Sequence, residues 1–109
     1  MSDLFGRHAM RAVYEHLMSR VRTIGPMTVR ETIDTVELVT AGRTFAVVRP
    51  KTARLDLEIV STRPLASPTV VKTNKTSEQG VHNLVRVART NDVDHALMAL
   101  LRDAYAGRR

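Results

Sequence analysis

The sequence predicts an α+β fold, a two-layer sandwich in which a mainly antiparallel sheet of about five or six strands packs against an N-terminal and a C-terminal helix. Apolar residues recur at helical spacing near both ends of the chain. Between these ends they alternate with polar residues, and turn residues separate the alternating segments. Both helices can bury their apolar stripes only if they lie on the same face of the sheet.

The composition is typical of one packed domain. A chain of 109 residues is long enough for one core and too short for two, so we assign residues 1–109 to one domain. Apolar residues make up 43% of the chain and charged residues 26%, close to the globular average. Only 4% are aromatic, so the core is expected to consist mainly of aliphatic side chains, and no aromatic cluster is available to stack bases.

The absence of cysteine excludes disulfides, thiolate metal sites and cysteine nucleophiles. The first residues lack the basic and apolar regions of a signal peptide. No segment approaches the roughly 18 apolar residues of a membrane span. The sequence therefore predicts a cytoplasmic protein with no membrane partner.

The first helix is predicted over residues 7–22, where apolar residues follow one another at spacings of three and four. Gly25-Pro26 is expected to end it, because glycine tolerates a left-handed cap and proline lacks the N–H that a continuing helix needs. The apolar residues of this helix are Met10, Val13, Tyr14, Leu17 and Val21.

The middle of the chain predicts a sheet. Leu55, Leu57 and Ile59 alternate with charged residues, which indicates a strand with one dry and one wet side. Ala41-Gly42-Arg43 predicts a tight hairpin turn. The predicted strands cover residues 28–33, 36–41, 44–49, 54–60, 81–89 and a short edge strand at 70–72.

A final helix is predicted over residues 92–106. Asp92 and Asp94 would lie at its start, where the helix dipole favours negative charge, and Gly107 is expected to end it. Tyr105 is placed at the edge of its buried stripe. The residues expected to be buried are Val93, Ala96, Leu97, Leu100, Leu101 and Ala104.

The sequence contains no recognisable catalytic, cofactor or metal motif. The five glycines lie too far apart for a phosphate-binding loop, and no serine occurs in a nucleophile elbow. His8 and His16 are eight residues apart, which is not the spacing of two ligands on one helix face. Capping explains the acidic residues beside His95. We therefore predict no catalytic residue, no cofactor and no metal site.

The positive charge is concentrated in one part of the chain. Residues 51–91 contain seven basic and three acidic side chains, and the chain as a whole carries a formal charge of +6. Basic residues on neighbouring strands and loops predict a surface for an anionic partner such as nucleic acid, although they also protect sheet edges and keep a small domain soluble. The candidate residues are Lys51, Arg54, Lys72, Lys75, Arg86 and Arg89.

Alternation also places apolar residues on the side of the sheet that the helices leave uncovered. This pattern allows three interpretations: a homodimer interface, a small-molecule groove, or the inside of a strongly curved sheet. His82 and Arg86 occupy alternating positions of the last strand and could face such a groove together. The apolar residues are Val39, Ala46, Val48, Val60 and Leu84.

Several segments carry a resemblance to a known family. They are Leu4-Phe5-Gly6 before the first helix, residues 45–51, residues 55–59, Gly80-Val81-His82 and Ala104-Tyr105. In this order the segments resemble domain-of-unknown-function family 5655, a small bacterial α+β domain. The resemblance implies a stand-alone or appended module without an established activity or catalytic residues. The family's segment around His82 is richer in tryptophan and glycine, which puts a shared aromatic pocket in doubt.

Three functional hypotheses follow from the sequence. The first is a non-enzymatic binding or regulatory module that uses its basic sheet face or edge for an anionic partner, for example nucleic acid. The second is a homodimeric interaction protein that associates through the partly apolar outer face. The third is a small-molecule-binding protein or enzyme with a pocket near His82, and it predicts a concave cavity beside that residue.

Overall fold

The computed structural model describes residues 9–76 and 80–108. The elements in this part of the chain are α1 (Arg11–Val21), β1 (Thr28–Glu31), β2 (Val36–Thr40), β3 (Arg43–Pro50), β4 (Leu55–Ser61), β5 (Lys72–Thr76), β6 (Gly80–Val87), a 3-10 turn (Thr90–Asp92) and α2 (His95–Arg108). The strands form one antiparallel sheet in the order β1-β2-β3-β4-β6-β5. The predicted α+β class with two helices and an antiparallel sheet is confirmed.

One hydrophobic core joins both helices to one face of the sheet. The alternating residues Leu55, Leu57 and Ile59 of β4 are fully buried in it. Because successive side chains of a strand point to opposite faces, the residues between them lie on the other side, which we call the outer face. The helix residues of the core are Val13, Leu17, Met18 and Val21 of α1 and Leu97, Met98, Leu100, Leu101, Ala104 and Tyr105 of α2.

The start and end of α2 differ from the prediction. Asp94, not Asp92, caps the helix, since its carboxylate accepts a hydrogen bond from the Leu97 N–H at 2.9 Å. The Asp92 carboxylate instead accepts the backbone N–H groups of Ala88 and Arg89, at 2.8 and 3.0 Å. The helix also continues through Gly107. Its predicted burial was right except that Ala96 is exposed, whereas Met98 and Tyr105 are buried.

The hairpin between β2 and β3 agrees with the prediction. Thr40 pairs with Arg43, so Ala41 and Gly42 form a two-residue turn. Their φ angles are 51° and 76°, and a type I′ turn needs positive φ at both positions. Glycine supplies one of these positions without strain, and alanine accepts the other.

The edge strand β5 was placed too early by the prediction. The predicted strand covered residues 70–72, whereas β5 begins only at Lys72. The Val71 N–H still donates to the Leu84 carbonyl at 2.7 Å, so pairing with β6 starts one residue ahead of the strand. Proline and polar residues around this segment concealed its register from the sequence.

Gly25 serves a different purpose from the predicted left-handed cap, because its φ angle is not positive. The Tyr105 hydroxyl donates to the Pro26 carbonyl at 2.7 Å and crosses directly over Gly25. A Cβ atom at Gly25 would lie 2.6 Å from the Tyr105 hydroxyl oxygen. Tyr105 has little room to move, because its ring packs at 90° against Phe45 with the centroids 5.3 Å apart. Glycine is thus required here by the close approach of the tyrosine.

We expect Gly25→Ala to lower the free energy of unfolding by about 1–3 kcal/mol, as overpacking of a well-packed site does. Gly107→Ala is the matched control. Its Cβ would meet nothing within 4 Å and it lies in a helix, where alanine is favoured over glycine by about 1 kcal/mol. Urea denaturation followed by circular dichroism measures both. Equal midpoints for the two variants would contradict this role of Gly25.

The predicted outward orientation of Ala46 and Val48 is wrong. Val48 pairs with Leu57 and Ala46 pairs with Ile59, so both face the helices, and both are fully buried. The cause is a β-bulge opposite the Leu38–Val39 step of β2, where Phe45 is the extra residue of β3. Such a bulge lets two successive residues face the same side, here Phe45 and Ala46.

Candidate functional site

The outer face is centred on β3, β4 and β6. Register places Asp56 of β4 between Arg49 of β3 and Arg86 of β6. In the next row, Glu58 lies directly opposite Leu84 of β6. Since neighbouring strands are about 4.8 Å apart, these side chains are within contact distance of one another. The centre of this face is therefore charged.

A chain of hydrogen bonds crosses these three strands diagonally. The Arg49 Nη1 donates to Glu58 Oε1 at 2.7 Å, and Glu58 Oε2 lies 2.7 Å from His82 Nδ1. Because a carboxylate accepts, the hydrogen of the second bond belongs to Nδ1. Glu58 is thereby fixed at both oxygens, with its side chain only 21% exposed. The chain holds the imidazole in one orientation.

The second ring nitrogen of His82 is left over. Its Nε2 is buried and has no hydrogen-bond partner within the part of the chain that the structure describes. The whole side chain is 12% exposed. Buried nitrogens without partners are uncommon in folded proteins, so the unpaired Nε2 marks His82 as a candidate functional side chain of the outer face.

Every acidic residue described on the outer face takes part in an ion pair. The Arg54 Nε donates to Asp56 Oδ1 at 2.9 Å, and Glu58 is paired with Arg49. The third acidic residue, Glu37, lies 3.6 Å from an Arg30 nitrogen. Since these acids are neutralised locally, any further cation on this face adds net positive potential.

A groove of about 220 Å³ opens on the outer face beside His82. It combines an apolar side chain, Leu84, with the carboxamide of Asn74 and with both acidic residues of the centre. The concave cavity that the third hypothesis predicted beside His82 is therefore present, although Arg86 is not among its lining residues. These are Arg49, Lys51, Asp56, Glu58, Asn74, His82 and Leu84.

The structure brings together only part of the predicted basic set. Lys51 lines the groove. In the strand register Lys72 lies opposite Leu84 and Arg86 lies opposite Asp56, so all three residues are on the outer face, and all are exposed. None of the three has an ion-pair partner among the described residues. We call Lys51, Lys72 and Arg86 the rim cations.

The other three predicted cations do not join this group. The guanidinium of Arg54 is used by Asp56. Arg89 follows β6 and lies at the start of the 3-10 turn, beyond the sheet. The side chain of Lys75 lies outside the described part of the structure.

The predicted apolar dimer face is much smaller than expected. With Ala46 and Val48 in the core, Val39, Val60 and Leu84 remain on the outer face, and the first two are buried. The exposed large apolar residues of the described chain lie elsewhere, at Val29, Ile33 and Val71. Dimerisation remains a prediction, and of these three residues only Leu84, which is half-buried, offers it appreciable apolar surface.

The remaining candidates have structural explanations or lie outside the description. Asp92 and Asp94 bind backbone N–H groups, and His8 is outside the described residues. Within residues 9–76 and 80–108, no cluster of three His, Asp or Glu side chains could hold a metal ion. None of the described helices is long and apolar enough to cross a membrane.

Sequence reasoning missed the residues at the centre of the site. Arg49, Glu58 and Asn74 received no functional role, although Glu58 stood out as one of the charged residues of the clearest strand. Alternation alone could have put Glu58 on the outer face. Its pairing with His82 depends on β6 lying next to β4, which the sequence does not reveal.

Comparison with known proteins gives one result. The chain matches the model of a domain of unknown function (DUF5655) over residues 1–106. No curated protein and no solved structure gives a significant match. The family description assigns no activity, so any function must be argued from the outer face itself. The match spans α1, all six strands and most of α2, and the chain belongs to the DUF5655 family.

Proposed function

We propose that this protein is a non-enzymatic binding module whose outer sheet face binds nucleic acid through its phosphates. The observation that carries the proposal is the charge imbalance of that face. Its three described acidic residues are each held in an ion pair, whereas the rim cations have no ion-pair partner in the described chain. Unpaired cations on one face attract a polyanion, and they do so most strongly where neighbouring acids are neutralised.

The arrangement of the rim cations also supports the proposal. Lys72 lies on the edge strand β5, Arg86 on β6 and Lys51 just after β3, so the three surround the groove from different strands. Phosphates repeat along a nucleic-acid backbone, and cations spread over several strands can contact successive phosphates. A single small anion would use only one or two of them.

The salt dependence of binding tests this proposal. Three phosphate contacts predict that log affinity falls with log salt at a slope between about −2 and −3, from roughly −0.7 per contact on single strands and −0.9 on duplex. Fluorescence anisotropy with labelled oligonucleotides, between about 50 and 200 mM salt, measures the slope.

The double variant Lys72→Ala/Arg86→Ala should reduce the magnitude of the slope to about 1 and weaken binding at low salt. Arg22→Ala/Arg102→Ala is the matched control, because it removes the same charge from two exposed positions, one directly after α1 and one within α2. We expect the control to keep the slope of the unmodified protein. Equal losses in both double variants, or no binding at low salt, would rule out the proposed surface.

A further inference from the structure

The groove between the rim cations has the wrong chemistry for a phosphate. Two carboxylates, Asp56 and Glu58, lie in its lining; each is ion-paired with an arginine and still has oxygen lone pairs that can accept further hydrogen bonds. Carboxylate oxygens only accept hydrogen bonds, so they suit a ligand that donates. The rim and the groove therefore suit two different parts of one ligand.

The groove suits a small polar ring with amino or N–H donors. Leu84 contributes an apolar surface, and Asn74 contributes an exposed carboxamide with no hydrogen bond to the described protein. Pockets for drug-sized ligands have volumes of about 300–1,000 Å³, so about 220 Å³ is enough for one ring system and no more. A nucleobase has this size, an apolar face and a polar edge.

We propose that the groove receives one base of a nucleotide, while the adjoining phosphates contact the rim cations. The inference rests on the proposed function and specifies its ligand as an unpaired nucleotide unit. A base in a duplex is stacked and paired, so its edge cannot enter a groove of this kind without being taken out of the helix. The face should therefore bind single strands in preference to duplex of the same sequence.

The floor of the groove also predicts a base preference. Glu and Asp side chains accept hydrogen bonds from the cytosine N4 amino group, whereas thymine has a carbonyl at that position. A carbonyl opposite a carboxylate places two acceptors against each other. The sequence contains few aromatic residues, so stacking, which does not distinguish bases, has less weight here. Cytosine should be favoured over thymine.

The test uses oligo(dC) and oligo(dT) strands of about 12 nucleotides at pH 8, together with a mixed-sequence duplex and its separate strands. We expect oligo(dC) to bind roughly 3- to 10-fold more tightly than oligo(dT), the gain from about one hydrogen bond. Each separate strand should bind more tightly than the duplex.

Competition by CMP distinguishes two sources of the ligand. Displacement by CMP at concentrations similar to those of the strand identifies a free nucleotide, and displacement by the strand alone identifies a single-stranded polymer.

Asn74→Ala separates the groove from the rim. We expect it to weaken the binding of both oligo(dC) and oligo(dT) while leaving the salt slope unchanged, because it removes a hydrogen-bonding group of the groove and no charge. Asn91→Ala, at an exposed asparagine of the 3-10 turn, is the control and should change neither quantity. If all probes bind equally with a normal salt slope, the proposal that the groove receives a base is wrong, and the proposed cationic surface is unaffected. No binding by any probe would overturn both.

Discussion

Replacing Asn83 by alanine is expected to destabilise the protein by about 2–4 kcal/mol, far more than truncating an exposed asparagine. Asn83 is fully buried on the core side of β6. Its Nδ2 donates to the Ile59 carbonyl and to Ser61 Oγ, both at 2.9 Å. Its Oδ1 accepts the Leu65 N–H at 3.0 Å. Alanine would remove the Asn83 partner from each of these buried or part-buried groups, and an unmade hydrogen bond of this kind is costly.

The loss of local stability should be greatest in the segment around Leu65. Asn83 connects the central sheet to the segment around Leu65 and, through a longer contact of 3.4 Å, to Thr73 of β5. Urea denaturation measures the total effect, and amide hydrogen exchange should show that the Leu65 N–H loses protection first. Asn91→Ala is again the control and should stay within about 0.5 kcal/mol of the unmodified protein. Unchanged exchange at Leu65 would contradict this account of Asn83.

The local parts of the fold could be predicted because their causes are local. Leu55, Leu57 and Ile59 alternate with charged residues within five positions, and the Ala41-Gly42 turn needs only its own backbone conformation. Asn83 is a polar residue two positions from Val81 on one side and from Val85 on the other, so a break in the apolar face of β6 was an available signal. The sequence does not show the structural role of Asn83, because its hydrogen-bond partners lie up to 24 residues away.

The parts that could not be predicted depend on residues distant in sequence. Phe45 faces the helices because Tyr105, sixty positions later, packs against its ring. The bond between Glu58 and His82 exists because β6 lies between β4 and β5. Residue patterns within a strand do not specify strand order, so the rim cations could be nominated from the sequence while the groove between them could not.

The β-bulge at Phe45 orients the following residues of β3 and so leads to the second large expected effect, on the stability of variants at positions 47 and 48. Val48→Lys would place an ammonium group among Leu57 and the helix residues of the core, with no partner and no route to water. Burial of an unpaired charge of this kind costs at least about 4–5 kcal/mol, which is close to the whole stability expected for a domain of this size. We expect this variant to show no cooperative unfolding transition.

Val47→Lys is the matched comparison, since it makes the same change one residue earlier. Val47 faces outward and pairs with Glu37 on one side and Glu58 on the other. A lysine there can extend its ammonium group past these carboxylates to solvent, although the apolar contacts of a valine with only 7% exposure are lost. We expect a cooperative transition with a loss of about 1–2 kcal/mol. Uninterrupted alternation from Phe45 would give the reverse order, with Val47→Lys the more damaging change, so urea denaturation of this pair decides directly whether the bulge orients β3.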